Sequence, residues 1–221
     1  ELQPASLTLH HRRDEQKVLV WGIAADGRRF DLTDAAKLTP SSAAVVIAED
    51  NYVAPRAKGS TAVKVTAAGK SVDLPVEVVS ADDPPIRFIR DVQPILGKVG
   101  CNAGTCHGSQ KGKNGFHLTL RGYDPAFDYN ALVKQLQGRR ANRAGPEHSL
   151  MLMTATAAVP HEGRRVIEPG SRHYETIYRW IEQGVAYDAE PDAARPDSIE
   201  VLPRQVELDL AGRNQRILVR A

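Results

Sequence analysis

Cys101, Cys106 and His107 lie within seven residues of one another in the run CNAGTCH, and Cys101 and Cys106 are the only cysteines in the 221-residue chain. Two thiols followed at once by an imidazole suit the covalent attachment of haem. The thiols form thioethers with the porphyrin vinyl groups, and the adjacent histidine binds iron from the proximal side. The usual spacing is C-x-x-C-H, whereas four residues, Asn102 to Thr105, separate the cysteines here. That spacer must loop outward to keep both sulfurs within reach of the vinyl groups, and Gly104 suits such a loop.

Other uses of the same residues stay open. A Cys101–Cys106 disulfide in an exported protein would leave His107 on the surface. A structural zinc site would need distant histidines, because there is no second cysteine pair.

If iron is bound at His107, the ligand on the opposite side decides much of its chemistry. Axial identity moves a haem potential over about 0.8 V, and an open position admits small molecules. A loop before the last helix is where this ligand is expected, and the loop Ala157 to Gly163 contains Pro160-His161. His161 is therefore the candidate distal ligand. Met153 is the alternative, with Met151 beside it, although methionines among leucines also serve as core filler. His117, His148 and His173 read as surface or structural residues, and His10 and His11 lie far away in the N-terminal part. Arg121, Arg164 and Arg165 are candidates to neutralise haem propionates. Lys111 and Lys113 are candidates to steer an acidic redox partner.

The elements that must position these residues fall into two parts. Residues 1–80 alternate apolar and polar side chains in short runs, as in Leu7 and Leu9, Val18 to Trp21 and Val72 to Val79, with turns at Asp26-Gly27 and Gly69-Lys70. About seven such strands with regular turns predict an antiparallel β-sandwich. Residues 81–85 end in Pro84-Pro85 and read as a linker. From residue 86 to 190 the period becomes helical. Ile86, Ile89, Val92, Leu96 and Val99 share one face, with Pro94 limiting the helix, while Tyr174, Ile177, Tyr178 and Ile181 share another ahead of Gly184. Further helices are expected near 128–137 and 146–153. The predicted fold is thus multidomain, an all-β sandwich followed by a mainly α domain.

Pro203–Ala221 aligns without a gap on Pro4–Gly22, placing Gln215 on Gln16 and Ile217-Leu218-Val219 on Val18-Leu19-Val20. This predicts that 199–221 begins a second sandwich, and that the 221 residues are a fragment of a longer protein with further domains.

The composition is that of an ordinary soluble globular protein, 42% hydrophobic and 25% charged, with a formal net charge of +2. Such a balance gives no support to nucleic-acid binding. No stretch reaches the roughly 20 apolar residues of a membrane span. The chain opens on Glu1 without a charged-then-apolar leader, as a mature or trimmed N-terminus would.

Phe88 to Leu132 and Val159 to Gly184 together resemble the cytochrome-c-like domain of large exported multidomain proteins of planctomycete bacteria. In that family the haem domain is flanked by group 2 bacterial immunoglobulin-like domains, which is what residues 1–80 and 199–221 look like. The resemblance implies one covalent haem c per chain, a periplasmic or cell-surface location, and a redox partner protein. It leads to an electron-transfer module rather than a catalyst. A haem sensor or peroxidase-like enzyme with an exchangeable sixth site is one alternative, and a haem-free adhesion or carbohydrate-binding module is another.

Overall fold

The structure is a computed structural model that describes residues 1–188, 197–206 and 215–220. It divides into two compact units, Glu1–Pro84 with Pro196–Ala221, and Pro85–Arg195.

The first unit is built from β1 (Leu2–Gln3), β2 (Leu7–Leu9), β3 (Gln16–Lys17), β4 (Leu19–Ile23), β5 (Arg29–Asp31), β6 (Lys37–Pro40), β7 (Val46–Glu49), β8 (Tyr52–Pro55), β9 (Gly59–Ala67) and β10 (Lys70–Val78), with β11 (Glu200–Leu202) and β12 (Leu218–Arg220) near the chain's end. These form four sheets, in the orders β1-β4-β5, β2-β10-β9-β6, β3-β8-β7 and β11-β12. The longest pairing is the β9–β10 hairpin, whose register runs from Ala67–Lys70 to Gly59–Val78. Its two-residue turn, Ala68-Gly69, has positive φ at both positions, the twist a tight hairpin needs. Alternation then turns Val63, Val65, Leu74, Val76 and Val78 inward, where they meet Leu7, Leu9, Val18 and Val53. The segment read as a linker is tied to this unit: Arg12 N–H donates to the Asp82 carbonyl, and the Arg13 guanidinium binds Asp83 and the Pro84 carbonyl.

The pairing of β1 with β4 places Leu2 opposite Val20 and Gln3 opposite Leu19. At the aligned positions, β11 and β12 pair Val201 with Val219 and Leu202 with Leu218. The two segments thus share strand register as well as apolar pattern; residues 207–214 of the repeat lie outside the described residues. Leu2 and Val20 are buried, whereas Val201 and Val219 are exposed.

The second unit corrects the sequence expectation. A mainly α domain is predicted, yet the structure as a whole is mostly sheet, with its four sheets in the first unit, and the second unit's helices are few and short, about a quarter of the chain being helical. The helices of Pro85–Arg195 are α1 (Gln93–Lys98), α2 (Pro125–Val133), α3 (Leu150–Ala155) and α4 (Arg172–Glu182), joined by long turns. The reason is local. Positive φ at Gly100, Gly112, Asn114, Gly115, Arg121 and Gly122 breaks the first half, and at Leu136, Gln137, Gly138 and Ala157 the second. The helix expected over 128–137 accordingly starts earlier, where the Asp124 carboxylate accepts from Phe127 N–H, and stops before Leu136. Pro94 does not kink a long helix. A π-helical turn at Phe88–Val92 precedes it, and the proline sits in the first turn of α1, where its missing N–H is harmless.

An aromatic cluster joins the two ends of this unit. The Phe88 ring lies 5.6 Å from both Tyr129 and Trp180 and 6.2 Å from Tyr187. Phe88 N–H donates to Ala186 O, Trp180 Nε1 to the same oxygen at 2.9 Å, and the Tyr129 hydroxyl to Val185 O at 2.9 Å. Asp188 accepts from Ile89 N–H. Among the described residues no helix is long and apolar enough to cross a membrane.

Phe88 is fully buried in this cluster. Phe88→Ala is expected to destabilise the unit by about 3–5 kcal/mol. Denaturant unfolding followed through Trp180 fluorescence in a Trp21→Phe background measures it; a loss under 1 kcal/mol would show that the cluster does not anchor the unit.

Candidate functional site

The Cys101–His107 loop is shaped by its own backbone. Gly100, at φ 84°, turns the chain out of α1, and Cys101 N–H still donates to Leu96 O. Ala103 N–H then bonds Gly100 O, Cys106 N–H bonds Ala103 O, and His107 N–H closes the loop on Cys101 O at 3.1 Å. The four-residue spacer is thereby folded into successive turns, with Asn102 buried and Gly104 and Thr105 exposed. Gly108 follows because nothing larger fits: a Cβ there would stand 2.1 Å from the Asn102 carbonyl oxygen.

Cys101, Cys106 and His107 line a cavity of about 820 Å³, within the range of about 300–1,000 Å³ that cofactor and ligand sites occupy. Its wall is largely apolar, with Leu96, Phe116, Leu118, Leu132, Leu150 and Val166 among its residues. His161 lies on the same wall, beside Pro160, Glu162 and Gly163.

The two histidines form a matched pair. Their ring centroids are 6.2 Å apart and their planes differ by 18°. That is too far for contact stacking, but two imidazoles sharing one metal ion at about 2 Å each stand about 6 Å apart. Each ring is oriented by a carbonyl: His107 Nδ1 lies 3.2 Å from Phe116 O, and His161 Nδ1 lies 3.2 Å from Arg164 O. A carbonyl only accepts, so Nδ1 carries the proton in both, and each Nε2 keeps its lone pair for a ligand role. The His161 ring folds over Gly163, where a Cβ would be 2.6 Å from Cε1. Burial lowers the His107 pKa, and the nearby His161 and Arg140 lower it further against the Phe116 hydrogen bond. That direction favours the neutral ring, the form in which imidazole binds a metal.

Cys101 and Cys106 are free thiols. Burial, with Cys106 close by, pushes the Cys101 thiol up to about 11. Little of it is thiolate at neutral pH.

Of the remaining candidates, Met151 lines the cavity but Met153 does not, because the turn of α3 carries Leu150, Met151, Thr154 and Ala155 to the wall instead. His117 packs against Phe127, His148 pairs with Glu147, His173 lies in the first turn of α4, and His10 and His11 belong to the first unit. None of these lines the cavity. Arg121, Arg164 and Arg165 do not line it either; Arg165 pairs with Glu168. Lys113 does, and its ammonium meets Glu162 at 3.5 Å, linking the loops that carry the two histidines. Lys111 is exposed.

Sequence reasoning missed Arg140 and Phe116. Arg140 is buried on the cavity wall, with its guanidinium 4.4 Å from the Phe116 ring centre. The Phe116 ring in turn lies 4.6 Å from that of His107. The one available signal is the spacing of Gly112 and Gly115, which marks the tight turn that returns Phe116 to the motif.

No family model and no curated protein matches the chain. Among solved structures it is similar to domains 4 and 5 of the S-layer protein SbsC, at 20% identity and a TM-score of 0.30, covering 36% of this chain and 50% of that one. Domains 5–6 of SbsC also match, at 20% identity and a TM-score of 0.30, covering 39% and 45%. The chain thus spans half or less of the structures it matches.

In a Cys106→Ser variant the remaining thiol is expected to react with iodoacetamide at pH 8 more than tenfold slower when folded than in denaturant, because so little is thiolate. Equal rates would contradict the burial of Cys101.

Proposed function

We propose that the second unit carries one covalently attached haem and serves as an electron-transfer module. In this reading Cys101 and Cys106 hold the porphyrin as thioethers, His107 is the proximal ligand and His161 the distal one. The observation that carries it is the facing pair of imidazoles, 6.2 Å apart, each with Nδ1 engaged by a carbonyl, on the wall of an apolar cavity shared with both thiols.

The residues present fit the group. Cys101 and Cys106 would bond the macrocycle, and His107 and His161, on the lining of the same cavity, would offer their nitrogens to its iron. When bound, haem accepts and returns a single electron between its ferric and ferrous forms. The protein's part is to hold both rings in one tautomer, to exclude water with the Leu96, Leu118 and Leu132 wall, and to keep the vinyl-facing thiols next to His107. No proton transfer or nucleophile is needed. A bis-histidine centre has a lower potential than a His/Met one.

The free thiols and the facing histidines favour this reading over the disulfide-linked adhesion module. Thioether attachment occurs outside the cytoplasmic membrane, so the reading implies a periplasmic or cell-surface site and a redox partner protein that meets the exposed edge near Lys111. Where His161 leaves the iron, the sixth position would become exchangeable, as in a haem sensor.

Protein made with haem-attachment machinery is expected to show low-spin spectra in both oxidation states. His161→Ala should convert it to a form that binds carbon monoxide when reduced, and Met153→Ala should leave the spectrum unchanged. Low-spin bands that survive His161→Ala but vanish in Met153→Ala would overturn the bis-histidine assignment.

A further inference from the structure

Arg140 is 8% exposed and lies on the cavity wall. Nη1 donates to Ala131 O at 2.9 Å and to Gln135 Oε1 at 3.4 Å, and Nη2 donates to Gly115 O at 3.2 Å. These acceptors are all neutral, and they engage three of the five N–H donors a guanidinium carries. Three other arginines behave differently: Arg90, Arg165 and Arg216 each meet a carboxylate. Among the described residues, Arg140 forms no ion pair. Burial lowers its pKa.

A buried cation without a counter-ion is costly, and the usual remedy is a paired anion. Among the described residues there is none, yet the fold fixes this cation firmly by two backbone carbonyls and the face of Phe116, whose ring lies against His107. We propose that Arg140 anchors a carboxylate of the cavity's ligand, a rim propionate in the case of haem. This rests on the haem reading above. The guanidinium fork suits a carboxylate, and its place next to Phe116 would set which edge of the porphyrin turns inward. The three arginines that the sequence offers for this role, Arg121, Arg164 and Arg165, are absent from the cavity wall.

The test is a titration of the purified, haem-free chain with hemin and with hemin dimethyl ester, whose propionates carry no charge, followed by Soret absorbance. Hemin is expected to bind about tenfold to a hundredfold more tightly than the ester. Arg140→Gln should remove that preference while leaving ester affinity unchanged, and Arg140→Lys should restore part of it. The comparison of the two porphyrins on unaltered protein stands even if a variant fails to fold. Tight binding of both porphyrins with equal affinity would overturn the Arg140 assignment and leave the haem reading intact. Binding of neither would overturn both.

Discussion

Two imidazoles 6.2 Å apart on the lining of one cavity, each with Nδ1 engaged by a carbonyl, are an arrangement that a chain must be built to hold. Left alone, neutral histidines seek water, and a half-buried ring without partners loses hydrogen bonds. Here each ring is fixed from behind by a carbonyl of a nearby turn, Phe116 O for His107 and Arg164 O for His161. The rest of the second unit follows from that requirement. The carbonyls must be presented by tight turns, so the chain spends its residues on left-handed positions rather than on helix. The cavity's wall is largely apolar because α1, α2 and α3 contribute Leu96, Leu132 and Leu150 to it.

The same economy explains the length of the cysteine spacer. With four residues between the cysteines, the backbone folds back far enough for His107 N–H to reach Cys101 O. Both thiols and the imidazole then open on one space. Gly108 is tied to that closure by its contact with the Asn102 carbonyl, and Gly163 to the placement of the His161 ring. Lys113 and Glu162 bridge the two histidine loops, but at the surface, where such a pair contributes little to stability.

The residues that share the cavity lining were more legible in the sequence than the extent of helix. Cys101, Cys106 and His107 announce themselves by type and spacing, and His161 by its place after Pro160 in the loop before the last helix. Period-two alternation marked Leu7, Leu9 and the β10 residues as strand, since a half-buried sheet leaves no other pattern. The extent of helix was misread, because apolar spacing at 3.6 cannot register a positive φ at a non-glycine residue such as Leu136 or Gln137. Met153 was weighed against His161 without knowing the phase of α3, which only packing decides. Arg140 was invisible, being one of many arginines, and it becomes distinct only through its burial without a carboxylate.

The central claim is that this cavity holds a haem bonded to the protein through both thiols. Mass spectrometry of the chain, secreted from a host with haem-attachment machinery and then denatured in acid, tests it most directly. The account predicts a mass raised by one haem, retained through denaturation and located on the peptide containing Cys101 to His107, and absent from a Cys101→Ala, Cys106→Ala variant. An unmodified mass, or one lowered by two hydrogens through a Cys101–Cys106 disulfide, would contradict it.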